Sequence, residues 1–150
     1  MLGAGETFRR AYPASAESVP RARADLTRFA CDAGIARDRL QLVRLAASEA
    51  LTNAVVHAYE QPGGTIELSA TYVSGELWLL VTDQGAGLRV RRQSQGLGLG
   101  LALIAQLVDD FQILSRATGG TELRMQFKID SDTPPDQGRR GSVSSAVAPA

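Results

Sequence analysis

The chain has almost no lysine. Lys128 is the only one, and arginine supplies the rest of its 16 basic residues. No glycine cluster therefore has the Gly-Lys-Ser/Thr ending that a P-loop needs to hold a triphosphate. Cysteine is as scarce. Cys31 stands alone, so no internal disulfide can form, and its simplest reading is a small buried apolar residue in a reduced cytosolic protein. No apolar run is long enough to span a bilayer, and no basic-then-apolar start suggests export, so a cytoplasmic protein without membrane contact is expected. Charge of one sign is missing too. The 16 basic residues balance 16 acidic ones, which gives no basis for bulk nucleic-acid binding. What remains is ordinary globular composition, 44% hydrophobic and 21% charged over 150 residues, enough for one domain with a sizeable core.

The most informative stretch runs from Ala47 to Tyr59. Val43, Ala47, Ala50, Leu51, Ala54, Val55 and Ala58 recur at helical spacing and make one apolar face. Glu49, Asn53 and His57 interrupt it at i, i+4 and i+8 and so form one polar stripe. Asn53 is the only asparagine and His57 the only histidine of the chain. A carboxylate, an amide and an imidazole stacked beside an apolar face suggest the wall of a site.

Around that helix the pattern predicts an edge strand at Glu6–Tyr12, ended by Pro13. A helix follows from about Ser18, with Pro20 in its first turn, to Gly34, and the long helix starts near Arg37. Pro62-Gly63-Gly64 stops it. Thr65–Val73 and Glu76–Thr82 alternate as a hairpin across Ser74-Gly75, the second strand being apolar enough to be central. A loop with Arg89, Arg91 and Arg92 comes next, then an apolar helix over Leu101–Val108, a strand at Phe111–Ser115, a turn at Thr118-Gly119-Gly120-Thr121 and a last strand at Glu122–Ile129. Trp78 is expected in the core or on a sheet face. From about residue 130 the composition turns to Pro, Gly, Ser and Ala, so residues 1–130 are read as the domain and 131–150 as a disordered tail. Hairpins with helices inserted predict an α/β (α+β) two-layer sandwich: a mixed, largely antiparallel sheet with helices on one face.

Two glycine clusters flank the arginine loop: Asp83-Gln84-Gly85-Ala86-Gly87 after a central strand, and Gly96-Leu97-Gly98-Leu99-Gly100 at the entrance to a helix. Helix-entrance amides and the helix dipole suit phosphate, although tight packing at a joint would ask for the same residues. A dinucleotide fingerprint would need glycine where Leu101 stands, and a protein-kinase glycine loop would need a lysine strand and an His-Arg-Asp loop that do not exist. A carboxylate at the end of a central strand must be hydrogen-bonded, and a purine's exocyclic amine is a suitable donor. An Asx-turn within its own loop is the plainer use of Asp83.

Glu49-x-x-x-Asn53 on a helix, Asp83-x-Gly85-x-Gly87 after a strand and Gly96-x-Gly98-x-Gly100 opening a helix, in that order and spacing, resemble the Bergerat-fold ATPases, the superfamily of gyrase, Hsp90, histidine kinases and MutL. The Thr-Asn-Ala-x-x-His-Ala-Tyr form around Asn53 is most like the anti-sigma-factor serine/threonine kinases, and the resemblance covers roughly Glu6–Ile129. It implies ATP and Mg²⁺ as cofactors. By the same resemblance Asn53 is the metal ligand bridging to phosphate and Glu49 the general base. Asp83 recognises adenine, Gly85 and Gly87 shape that pocket, Gly96, Gly98 and Gly100 cradle phosphate, and Thr121 lies near the adenine end.

The function so implied is an ATP-dependent protein kinase and anti-sigma factor of a bacterial regulatory switch. It would phosphorylate an anti-sigma-factor antagonist, sequester a sigma factor, and form a homodimer. Two other readings stand beside it: an ATP-binding switch module without phosphotransfer, and the detached catalytic domain of a histidine kinase. His57 is either a hydrogen-bonded structural histidine or a catalytic one. The loop arginines 89, 91 and 92 are either solvated or close on phosphate. Arg21 and Arg23 on the first helix are either a solvated face or part of a partner surface.

Overall fold

A computed structural model describes residues 5–58, 63–84, 97–117 and 119–129 of the chain. The elements follow in the order β1 (Glu6–Pro13), α1 (Ser18–Asp32), α2 (Arg37–Ala58), β2 (Thr65–Val73), β3 (Glu76–Asp83), α3 (Leu97–Leu107), β4 (Asp110–Ser115) and β5 (Thr121–Lys128). The arginine-bearing loop, with Gly85, Gly87 and Gly96, and the tail at 131–150 lie outside the described residues.

The five strands form one sheet in the order β1-β2-β3-β5-β4. All four ladders are antiparallel, in keeping with the largely antiparallel sheet expected. β1 is at an edge and β3 is central, as their composition suggested. The β2–β3 hairpin turns through Ser74 at φ 51° and Gly75 at φ 76°. Two successive positive φ angles are the mark of the tight turn whose twist matches a hairpin.

Period-2 alternation decides what the sheet buries. Ile66, Leu68 and Ala70 of β2, Leu77, Leu79 and Val81 of β3, and Leu123, Met125 and Phe127 of β5 all point to the helix layer and are buried. Trp78 and Leu80 fall on the alternate positions and stay half-buried on the opposite face of the sheet. Burying a residue such as Leu68 or Leu79 stabilises the fold by about 2–3 kcal/mol.

α2 lies in the middle of the helix layer, in contact with α1, α3, β2 and β3. Its inner face is made of Val43, Ala46, Ala47, Ala50, Leu51, Ala54 and Val55, all buried. Four alanines on that face let the helix backbone approach the sheet closely. α1 buries Ser18, Ala22, Leu26 and Ala30 at i, i+4 spacing. Cys31 falls one residue past that stripe, near the helix end, and is exposed. The expectation that it is buried is thus corrected: its 100° rotation from Ala30 turns it to solvent.

α1 is joined to β1 by side chains. The Tyr12 hydroxyl donates to an Asp25 carboxylate oxygen at 2.7 Å, and Arg10 meets the same oxygen at 3.1 Å. Burial, with that acceptor, pushes the Tyr12 phenol well above its ordinary range. α3 begins at Leu97, earlier than its apolar run suggested, so Gly98 and Gly100 lie in its first turn rather than in the loop before it.

Candidate functional site

The sheet order makes the site. β5 is inserted between β3 and β4, so the end of β3 meets the start of β5, and Asp83 pairs directly with Thr121. Both are 2% exposed. Across from them α2 presents Asn53, 7% exposed. These three polar residues and Ala50, Ala54, Val81, Leu101 and Leu123 line one pocket of about 220 Å³. The described residues alone thus form a narrow recess rather than a full-sized ligand cavity. The chain between Gln84 and Leu97 lies outside the described residues.

The pocket has two chemically distinct ends. At the sheet end, Asp83 and Thr121 are held by the β3–β5 ladder. Gly120 is the residue that lets the two strands meet there. It has φ +95°, and a Cβ on it would collide with the Asp83 carbonyl oxygen and lie 2.9 Å from Gln84 Cα. Any side chain at 120 would therefore push β5 away from the end of β3. The sequence pattern marks Gly119-Gly120 as a turn only, and the signal for more is a glycine pair directly before the candidate Thr121.

At the helix end, the side-chain amide nitrogen of Asn53 is buried and has no hydrogen-bond partner among the described residues. Leaving such a donor unpaired costs roughly 1–3 kcal/mol, so the position suits an acceptor that the described residues do not supply. A phosphate oxygen is such an acceptor, and the amide oxygen on the same carbon is a suitable neutral ligand for a magnesium ion that takes its other ligands from water and phosphate. The described residues include no cluster of His, Cys, Asp and Glu that would cage a metal by itself. An ion shared between Asn53 and a nucleotide fits that donor set.

Glu49 lies one turn before Asn53 on α2 and is half-buried, outside the pocket lining. A carboxylate there keeps access to solvent one helical turn from the pocket residue Asn53. The first turn of α3, with Gly98 and Gly100, leaves its amides without intrahelical acceptors, the arrangement that favours an anion. Leu101 of the same helix enters the pocket lining directly. Of the residues predicted from sequence, the fold thus brings Asn53, Asp83 and Thr121 into one cavity and sets Glu49 at its side. Gly85, Gly87 and Gly96 fall outside the described residues.

Comparison with known proteins agrees with this geometry. The family model described as the histidine kinase-like ATPase domain matches residues 12–127. The anti-sigma F factor of Clostridium acetobutylicum is 28% identical over 129 residues, which is 79% of this chain and 90% of that protein. The serine-protein kinase RsbW of Halalkalibacterium halodurans is 31% identical over 142 residues, 85% of this chain and 86% of that protein. Among solved structures, that of the RsbU and RsbW domains of a Mycobacterium tuberculosis protein matches with a TM-score of 0.67 and 23% identity. It is aligned over 83% of this chain, which spans only 32% of that longer structure. Its likeness shows the shared two-layer fold, and the span of the family model, residues 12–127, holds every described site residue. The chain belongs to the histidine kinase-like ATPase family, close to the anti-sigma-factor kinases.

Proposed function

We propose that the protein is an ATP-dependent serine/threonine kinase that also acts as an anti-sigma factor, phosphorylating an anti-sigma-factor antagonist and sequestering a sigma factor in the bacterial cytoplasm. One observation carries the reading: a buried amide with an unpaired donor, Asn53, stands one helical turn from a half-buried carboxylate, Glu49. A site that only bound nucleotide would need the first and not the second. The relatives named as anti-sigma factor and as serine-protein kinase support the same assignment; a homodimer and a domain spanning residues 1–130 are further parts of the proposal.

In this reading Asp83 accepts a hydrogen bond from the purine's exocyclic amine, with Thr121 beside it. The α3 first-turn amides and the Asn53 nitrogen take phosphate oxygens. Mg²⁺, held by the Asn53 oxygen, would neutralise phosphate charge. Glu49 takes the proton of a serine or threonine hydroxyl as its oxygen bonds to the γ-phosphorus. The bond from that phosphorus to the bridging oxygen breaks, and ADP leaves with the electron pair. Phosphoryl transfer needs alignment and charge neutralisation more than covalent help, and these residues supply both.

The test is incubation with γ-labelled ATP and the purified anti-sigma-factor antagonists encoded in the same genome. Label on serine or threonine, lost in Glu49→Ala while nucleotide is still bound, is the expected result. Nucleotide binding without label on any antagonist would leave an ATP-binding switch module, and label on histidine a histidine-kinase domain.

A further inference from the structure

The described residues hold two large hydrophobic side chains that are exposed, Leu45 at 43% and Val56 at 46%. Both are on α2, and both share a stripe with the candidate base. Taking 100° per residue, Leu45, Thr52 and Val56 lie within about 40° of one another, and Glu49 is about 20° further round, on the way to Asn53. The crest of α2 thus carries two exposed apolar side chains about 16 Å apart at 1.5 Å per residue, with Thr52 between them and Glu49 on the pocket side.

The other side of the ridge is basic. Arg44 is exposed there, and Arg23 reaches over from α1 to donate to the Ser48 hydroxyl at 3.3 Å. Isolated apolar residues on a surface need no explanation, but this pair brackets a candidate catalytic carboxylate between a pocket and two cations.

We infer that the Leu45–Val56 ridge is the seat of the protein substrate: a folded partner face that presents its hydroxyl to Glu49, sets apolar side chains on Leu45 and Val56, and carries acidic groups opposite Arg23 and Arg44. Glu49 can take a proton only from a hydroxyl delivered on the solvent side of Asn53, and the ridge is the surface that meets that point. Charge complementarity selects an acidic edge on the partner, and like charges there would oppose docking. The inference rests on the kinase reading for the hydroxyl, and its test is read by binding as well as by transfer.

The experiment uses the full chain and, as probe, each purified anti-sigma-factor antagonist encoded in the same genome. Affinity is measured by calorimetry with an unreactive ATP analogue, and transfer with labelled ATP. Leu45→Gln/Val56→Gln keeps the helix and lies outside the core, so its melting temperature should match wild type. It should weaken antagonist binding about tenfold and raise KM by the same factor, with kcat and analogue affinity within about twofold. Arg44→Glu should weaken binding about threefold, more at low salt. The inference is overturned if the double variant binds antagonist as wild type does, if no antagonist binds wild type, or if the double variant changes only the chain's own oligomeric state, since the occupant would then be a second copy. If the ridge variants lose binding while wild type transfers no phosphate, the ridge stands and the kinase reading falls.

Discussion

The two ends of the pocket are built in opposite ways. At the sheet end, Asp83 and Thr121 face each other in a ladder, both almost wholly buried, and Gly120 holds the strands together by having no side chain. At the helix end, Asn53 is buried with an unpaired amide nitrogen, and Glu49 is only half-buried. The sheet end is rigid because moving any one group would break strand pairing. The helix end leaves a buried donor that no described residue satisfies. Under the proposed function the sheet end recognises adenine and gains from being fixed beforehand, whereas the helix end reacts and needs groups whose partners come with the substrate.

This contrast can be broken by substitutions at each end. Glu49→Ala should have the largest effect, a loss of transfer of about 10²–10⁴ with nucleotide affinity kept within a few-fold. Single-turnover transfer beside equilibrium binding measures it, and an equal loss in both would place Glu49 among the binding groups. Gly120→Ala comes next. The new Cβ at positive φ, against the Asp83 carbonyl, should destabilise the fold by about 1–3 kcal/mol and abolish nucleotide binding at the sheet end, read by denaturant melts and by a fluorescent nucleotide. A fully stable variant that still bound nucleotide would show that the sheet end is not rigid.

Asn53→Ala should separate the two costs at the helix end. Nucleotide affinity should fall about tenfold or more, because the bond to a charged acceptor is lost. The protein without nucleotide should be as stable as wild type or slightly more so, because an unpaired buried donor has gone. A clear drop in its melting temperature would mean that Asn53 already has a structural partner.

The smallest effect concerns neither end. Tyr12→Phe removes the bond to Asp25 and should cost about 1 kcal/mol, roughly 3 °C in melting temperature at neutral pH. Because the folded phenol is shifted up, the folded state keeps its proton where the unfolded chain, near pH ~10, gives it up. Wild-type stability should therefore fall as pH rises past ~10, and the gap to Tyr12→Phe should narrow there.

Much of this was legible in the residues. Alternation in Thr65–Val73, the Ser74-Gly75 turn and the apolar stripe of α2 are local signals, and the elements they predicted formed with boundaries within a residue or two. Cys31 misled because burial depends on which way a single residue turns at a helix end, and composition does not carry that. The start of α3 is not legible locally, because glycines that suggest a loop fit equally within a first helical turn. Gly120 could not be weighed as a site residue, since its demand comes from the Asp83 carbonyl of a distant strand.

The sequence by itself determined the family, the candidate polar residues and their order, because spacing on one helix and glycines at strand and helix ends are local facts. It also determined that Glu49 and Asn53 share a stripe, since one turn of helix requires it. Only the tertiary structure decided that β5 lies beside β3. That placement set Thr121 against Asp83, pressed Gly120 onto a backbone carbonyl, closed the pocket over Asn53, and left Leu45 and Val56 uncovered on the crest of α2. Strand order is settled by packing between segments far apart in the chain, and that information is in no one stretch of it.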